Sequence, residues 1–230
     1  MSEENSPETK ENPGKGGTTL KFAILAGVLG LAVGAGLYAF SGHIGNGDDG
    51  DDSGPLASSS CTIDQSLRAK LDAKANGQLA AFKALDRPVS VSELAFNDVS
   101  GQKRSLADWQ GKTVLFNLWA TWCAPCRAEM PALDALQKDL GSDTFEVVLV
   151  SVDLGTPEKP KKFYSDIGMK SAGFFHDGDL ATLNILKKAG LAFGLPATLL
   201  VSDRGCVLGA LNGPAEWHSD EAKALVSVAF

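Results

Sequence analysis

The clearest pattern of hydrophobic positions lies in the middle of the chain. Residues 113–119 are largely apolar and predict a buried strand. Apolar residues then recur every three or four positions over residues 124–140, which predicts an amphipathic helix with Met130 and Leu133 on its core face. Residues 145–152 form a second continuous apolar run. A strand, a helix and a strand in this order predict two parallel strands in an α/β domain.

Weaker patterns flank this centre. Pro131 falls inside the predicted helix, where it removes an internal hydrogen bond and should kink the axis. The remaining predicted elements are a helix at 62–86, edge strands at 94–96 and after Gly101, helices at 159–168 and 180–188 with a short strand near 174–175 between them, a hairpin of 197–202 and 207–211, and a last helix that starts at Ser219.

The N-terminal part of the chain has a different composition. Residues 22–40 are uncharged and apolar, about the length needed to cross a bilayer, and predict a transmembrane anchor. A buried soluble helix would be weakened by the glycines, and a cleaved signal peptide, the nearer alternative, would have a shorter apolar core. Three lysines precede the span, and the first positive residue after it is Arg68. The positive-inside rule therefore predicts a cytoplasmic N-terminus.

These patterns divide the chain into four parts. We predict a cytoplasmic tail at 1–21, the anchor at 22–40, a flexible linker rich in Asp, Gly and Ser at 41–60, and a periplasmic domain at 61–230. The domain is long enough to bury a core, and we expect a monomer held at a bacterial inner membrane. The net charge of −7 gives no reason to expect nucleic acid as a partner.

The segment Trp122-Cys123-Ala124-Pro125-Cys126 directly follows the central strand. At the first turn of a helix, unpaired N–H groups and the helix dipole favour a thiolate, which makes Cys123 the candidate nucleophile. Cys126, one turn later, is the candidate resolving cysteine. A structural staple and half of a zinc site are the alternatives, but a zinc site needs two more ligands. We therefore expect neither a metal nor a cofactor, since the other cysteines and the histidines are scattered: Cys61, Cys206, His43, His176 and His218.

Residues 117–131, with the sequence NLWATWCAPCRAEMP, resemble the TlpA-type family of membrane-anchored, thioredoxin-like thiol:disulfide oxidoreductases of bacteria. Residues 157–161, 194–198 and 213–217 are also similar to that family, so the resemblance covers about residues 61–230. It implies a thioredoxin-like α/β fold, in which helices flank a central mixed sheet. It also implies an N-terminal helical extension, a central insertion and one preceding transmembrane helix.

The resemblance implies further site residues. A proline before an antiparallel strand can be an ordinary edge residue, but Pro196 matches the cis proline that lies against the cysteine pair in thioredoxin-like folds. It would expose the Leu195 backbone to an extended substrate segment. Asn117 replaces the buried strand acid of thioredoxin, and Glu129 matches a glutamate of TlpA-like reductases that could transfer a proton. Glu129 could equally be a first-turn acid that complements the helix dipole. Trp122 is a candidate substrate contact.

Cys61 and Cys206 stand at opposite ends of the predicted domain. In an oxidising compartment a structural disulfide between them is favoured, and two free thiols are the alternative. The resemblance also implies the Cys61–Cys206 pairing.

The function implied by the resemblance is reduction of client disulfides during cytochrome oxidase assembly. The clients would be a copper chaperone or the copper-site subunit of the oxidase, and a membrane thiol-relay protein would donate electrons. Reduction of haem-site cysteines of apocytochrome c is the closest alternative, and a copper-carrying chaperone is an alternative of another class. An oxidising disulfide donor stays open, because the motif alone does not set the redox potential. A peroxidase is disfavoured, since the loop that activates a peroxidatic cysteine is missing.

Overall fold

The computed structural model of the chain describes residues 61–230. The predicted tail, anchor and linker, at 1–21, 22–40 and 41–60, lie outside the described residues. Every helix within residues 61–230 is too short or too polar to span a bilayer.

Eight strands and five α-helices make up this part of the chain. The strands are β1 (Lys83–Ala84), β2 (Ala95–Asp98), β3 (Lys103–Ser105), β4 (Thr113–Trp119), β5 (Phe145–Ser151), β6 (Gly173–His176), β7 (Ala197–Val201) and β8 (Val207–Asn212). The helices are α1 (Gln65–Lys74), α2 (Ala124–Leu140), α3 (Glu158–Asp166), α4 (Ala181–Lys188) and α5 (Asp220–Val226), with 3₁₀ turns at Gly77–Leu79, Leu106–Trp109 and Ser227–Ala229.

The strands form one mixed sheet in the order β1-β8-β7-β4-β5-β6-β2-β3. The parallel pairing of β4 with β5 confirms the prediction made from the strand-helix-strand pattern. β7 runs antiparallel to β4 on its other side, and β8 runs antiparallel to β7, so the predicted hairpin is also confirmed. The C-terminal end of β4 and the N-terminal end of β7 therefore meet at one edge of the sheet.

The core is centred on β4, whose seven residues are all buried. A strand covered on both faces explains why its sequence is almost continuously apolar rather than alternating. Helix α2 packs against β5, and its Met130, Leu133 and Leu136 are fully buried. The helix continues through Pro131, which lies in its interior, and ends before Gly141. Ser219 caps α5 as predicted, because its hydroxyl accepts a hydrogen bond from the Ala222 N–H at 3.1 Å.

Two sequence predictions need correction. The helix predicted at 62–86 ends at Lys74, and its C-terminal part instead forms a 3₁₀ turn and strand β1, which pairs with β8. Apolar spacing could not distinguish these states, because Leu79 and Phe82 are buried in either. Strand β2 is not at the edge of the sheet: it lies between β6 and β3, and β3 is the edge. The short strand predicted near 174–175 is confirmed, since β6 pairs in parallel with β5.

A disulfide joins Cys61 to Cys206, with 5.6 Å between the two Cα atoms and 145 positions between them in sequence. Cys206 precedes β8 and is buried. The bond therefore fixes the segment before α1 to the C-terminal hairpin of the sheet.

Candidate active site

The cysteine pair lies where the central strand passes into helix α2. Cys123 occupies the N-cap of α2 in an extended conformation, and its sulfur accepts a hydrogen bond from the Cys126 N–H at 3.2 Å. The turn is closed by the Cys123 N–H, which donates to the Ala120 carbonyl at 3.1 Å. The Cys126 N–H thus points at the Cys123 sulfur, where it and the helix dipole favour a thiolate in the reduced protein.

Cys123 and Cys126 form a disulfide, with 5.3 Å between their Cα atoms. Cys123 retains 5 % exposure whereas Cys126 is fully buried. An incoming sulfur can therefore reach Cys123 first, and Cys126 is placed to attack only within the protein. This asymmetry matches the division between nucleophile and resolving cysteine.

Glu129 lies one turn after Cys126 on the same face of α2 and is only 4 % exposed. Its Oε1 accepts a hydrogen bond from Asn117 Nδ2 at 2.9 Å. Its Oε2 accepts from the Ala215 N–H and from Trp217 Nε1, both at 3.1 Å. The carboxyl group therefore connects α2 to the central strand and to the segment after β8. Glu129 lies beyond the first turn of α2, so the alternative, a first-turn acid that only complements the helix dipole, is wrong.

Burial raises the pKa of Glu129 from its ordinary value of 4.5 to about 7. Desolvation is the main cause, and the three hydrogen bonds to the carboxylate oppose it only in part. A group with this pKa exchanges protons readily near neutral pH. A cleft of about 400 Å³, lined by Pro125, Ala128 and Pro214 among others, reaches Glu129 from the surface. The Glu129 carboxyl group is therefore buried but borders a surface cleft.

Asn117 stands at the centre of the polar cluster and is fully buried. Its Nδ2 donates to Thr198 Oγ1 at 2.9 Å as well as to Glu129. Thr198 is the residue opposite Asn117 in the pairing of β4 with β7. The strand position that carries an acid in thioredoxin thus carries an amide here, which bonds to an acid supplied by the helix.

The peptide bond between Leu195 and Pro196 is cis. Ala197 pairs with Leu118, so Pro196 lies level with the end of β4 that leads into the cysteine pair. The Pro196 carbonyl accepts a hydrogen bond from the Gly213 N–H at 3.0 Å, which fixes this loop to the end of β8. Leu195 is half-buried at the same edge of the sheet.

The two tryptophans near the pair have different surroundings. Trp122 is 64 % exposed directly before Cys123. Trp119 is fully buried at the end of β4, with its ring centre 5.8 Å from that of Phe163 and 6.2 Å from that of Tyr164. Trp119 therefore belongs to the core, in agreement with the buried strand predicted at 113–119. Trp122 is free to contact another molecule.

Several residues of this region were not identified from the sequence. Trp217, Ala215 and Thr198 were seen only as parts of similar segments or of a strand, because nothing local indicates that they converge on Glu129. Asp153, which binds the loop before Cys123, was also missed. The sequence signal for Asp153 was its position directly after a buried strand, because residues that follow parallel strands meet at one edge of an α/β sheet.

The fold and the cysteine site agree with the relatives of the chain. A family model described as Redoxin matches residues 75–226. The chain belongs to the Redoxin family. This Redoxin-family chain is 32% identical over 120 residues to the thioredoxin-like protein YneN of Bacillus subtilis, a match that covers 50% of the chain and 65% of YneN. The chain thus spans slightly less than two thirds of the length of that relative.

A second relative is the thiol-disulfide oxidoreductase ResA of Bacillus subtilis, 28% identical over 138 residues, with 60% of this chain and 74% of ResA covered. Among solved structures, a thiol:disulfide interchange protein of the thioredoxin family from Chlorobium tepidum TLS matches with a TM-score of 0.52 and 25% sequence identity. That match covers 64% of this chain and 99% of the other. The thioredoxin-like α/β fold is therefore confirmed, and the names of these relatives agree with the predicted class of enzyme.

Proposed function

We propose that the chain is a thiol:disulfide oxidoreductase of the TlpA type, which reduces disulfides of client proteins at the periplasmic face of a bacterial inner membrane. The observation that carries the proposal is the geometry of the cysteine pair. Cys123 caps the N-terminus of α2 and retains slight exposure, Cys126 is fully buried and bonded to it, and Glu129 follows one turn later. The resemblance of residues 117–131 to that family supports the finer assignment.

The reaction transfers two electrons from the dithiol to the client. The Cys123 thiolate attacks one sulfur of the client disulfide, the S–S bond of the client breaks, and its other sulfur leaves as a thiolate that takes up a proton. Cys126 then loses its proton and attacks the Cys123 sulfur. The mixed disulfide breaks, the second client sulfur leaves as a thiolate, and the Cys123–Cys126 disulfide remains. Both client sulfurs end reduced.

The proton of Cys126 needs an acceptor inside the protein. We assign this role to Glu129, because it is buried one turn from Cys126 and its pKa lies near 7. Pro196 and the Leu195 backbone would hold the client segment beside Cys123, and the exposed Trp122 ring would contact it. Binding through backbone hydrogen bonds depends little on the amino-acid sequence of the client.

The clients we propose are the copper-site cysteines of a cytochrome oxidase subunit and of a copper chaperone. Copper binds these cysteines only when they are reduced. A membrane-embedded thiol relay would restore the dithiol, because the periplasm holds no reducing pool. Both statements rest on the family resemblance of the cysteine segment. The haem-site cysteines of apocytochrome c are the alternative client.

The reduction potential of the pair tests the direction of electron flow. The full chain is equilibrated with thiol buffers of known potential, and the oxidised fraction is followed by tryptophan fluorescence. A value at or below the range of about −270 to −230 mV supports a reductase, whereas a value near about −120 mV assigns an oxidising disulfide donor. Rates with an oxidised copper-site domain and with oxidised apocytochrome c then identify the preferred client.

Metal titration tests the copper-carrying alternative. Reduced full chain is titrated with Cu(I) in the presence of a competing chelator, beside a Cys123→Ser variant. Stoichiometric copper that survives the competitor and is lost in the variant would favour a carrier. The absence of retained copper, together with fast client reduction, supports the oxidoreductase.

A further inference from the structure

The hydrogen bonds around Asn117 leave one of its two amide atoms unpaired. Both N–H groups of Nδ2 are in use, one to Glu129 Oε1 and one to Thr198 Oγ1, each at 2.9 Å. Within residues 61–230, Asn117 Oδ1 is buried and has no hydrogen-bond partner. An unpaired buried amide oxygen costs roughly 1–3 kcal/mol, so its presence at the centre of a redox site calls for a physical explanation.

The two oxygens of Glu129 are held in different ways. Oε2 accepts from the Ala215 N–H and from the Trp217 indole, and both of these groups can only donate. A proton that arrives at Glu129 is therefore directed to Oε1, which faces Asn117. In the observed orientation the new O–H would point at an N–H group, and two donors would oppose each other.

Reversal of the Asn117 amide removes this conflict. A half-turn about the terminal side-chain torsion exchanges Oδ1 and Nδ2 with almost no change in shape. Oδ1 would then accept from the Glu129 O–H, and the Thr198 hydroxyl, which can donate as well as accept, would donate to the same oxygen. With Glu129 ionised, the observed orientation makes both hydrogen bonds and the reversed one keeps only that to Thr198, whereas with Glu129 protonated the reversed orientation makes both. The Glu129 proton therefore selects the orientation.

We propose that Asn117 is a positioning residue whose side-chain amide reverses when Glu129 gains a proton, so that both protonation states of Glu129 stay hydrogen-bonded. The proposal deepens the proposed function, since it concerns the proton that Cys126 releases. An acid paired in both states takes up and releases a proton without rearranging the backbone segments that hold Oε2. The Asn117 amide can thus pair with Glu129 in both protonation states. A lysine or an indole could not, because each only donates hydrogen bonds.

Few other titratable groups of residues 61–230 lie near Glu129. Cys126 lies one turn before it on α2, and Cys123 lies at the start of the same helix. From the segment after β8, Glu216 lines the cleft that reaches Glu129 and is exposed. β4 and β7 present only the amide of Asn117 and the hydroxyl of Thr198. In the oxidised protein neither cysteine titrates, so the Glu129 equilibrium can be measured alone.

The experiment is a pH titration of the oxidised full chain in detergent, followed by NMR of the Asn117 side-chain amide and the Glu129 carboxyl carbon. We expect both signals to move with one midpoint near 7. Above it, nuclear Overhauser effects should join the Asn117 NH₂ protons to the Thr198 side chain, and below it they should be lost. A Glu129→Gln chain should show no such change. Contacts that stay the same on both sides of the Glu129 midpoint would overturn the proposal.

A kinetic measurement on variants of Asn117 and Thr198 gives a second test of the proposal. In Asn117→Leu, Glu129 loses both the donor to its charged form and the acceptor of its O–H, so the midpoint of the pH profile for the Cys126 resolution step should rise by less than about one unit, because the bond to the charged form is only somewhat the stronger of the two. In the matched control Thr198→Val the amide remains, and the rise should be less than half of that. A rise of well over one unit in Asn117→Leu, as the loss of a fixed donor to the charged form alone would give, would also overturn the proposal. Because the NMR titration contains no client, its result is independent of whether client reduction itself is found.

Discussion

Asp153 holds Thr121 by two hydrogen bonds, one from the Thr121 N–H at 2.8 Å and one from its hydroxyl at 2.5 Å. The same carboxylate accepts from the Ser151 hydroxyl at 3.0 Å, and the Asp153 carbonyl is bonded to His176 Nε2 at 2.8 Å. The ends of β5 and β6 therefore fix the loop that carries Trp122 and Cys123.

Asp153→Ala should weaken this loop, because it leaves the Thr121 N–H and hydroxyl without their acceptor. We expect the free energy of unfolding to fall by about 1–3 kcal/mol and client reduction to slow by about tenfold or more. Chemical denaturation and turnover measure the two effects. Asp153→Asn, which keeps one acceptor oxygen, is the matched control and should lie between. Equal turnover in all three chains would show that the loop needs no support from β5.

Glu129→Gln should slow the resolution step by about a hundredfold or more, since general base catalysis typically contributes that much. The variant should also lose the pH dependence with a midpoint near 7, because the group responsible no longer titrates. Stopped-flow measurement of mixed-disulfide decay between pH 5 and 9 gives both quantities. A variant that keeps the midpoint would assign it to another group.

Glu129 should also make stability depend on pH. Its pKa in the folded protein is about 7, above the ordinary 4.5, so the folded state retains a proton that the unfolded chain has released. Stability contributed by this group is therefore complete below pH 4.5 and is lost as the pH rises to about 7, by about 3 kcal/mol in all. Denaturation of the oxidised chain across this range, compared with Glu129→Gln, isolates the contribution. In Glu129→Gln the free energy of unfolding should lack this decrease between pH 4.5 and about 7.

Removal of the Cys61–Cys206 disulfide should lower stability without changing the reaction. The bond closes a loop of 145 positions, which in the chain-entropy model corresponds to about 4–5 kcal/mol. A Cys61→Ser, Cys206→Ser double variant is compared with the unaltered chain by denaturation, both with Cys123–Cys126 oxidised. We expect turnover at low temperature to be retained. A large loss of turnover in the folded variant would mean that this disulfide also shapes the active site.

The two active-site cysteines should behave differently when each is replaced. Cys126→Ser should accumulate a client joined through Cys123, because the resolving thiol is gone. Cys123→Ser should form no such adduct, since Cys126 is fully buried. Non-reducing gels and mass spectrometry of the trapped species measure this. Adducts through Cys126 would reverse the assigned roles.

The sequence by itself determined the central part of the fold. The apolar run of β4, the spacing of Met130 and Leu133 in α2 and the hairpin of β7 and β8 were predicted correctly, because each depends on a periodicity within one segment. The cysteine segment was equally evident, since its chemistry depends on neighbours in the chain. Prediction failed for β1 and for the position of β2, because their states depend on which strand lies beside them.

Only the tertiary structure decided how Glu129 differs from an ordinary helix acid. Its partners Asn117, Ala215 and Trp217 lie 12, 86 and 88 positions away in sequence. The same holds for Asp153 and the loop it binds, 32 positions apart. Local pattern specifies strands, helices and the reactive pair, whereas the pKa of a buried acid depends on desolvation and on donors from distant segments. These are fixed only when the sheet has assembled.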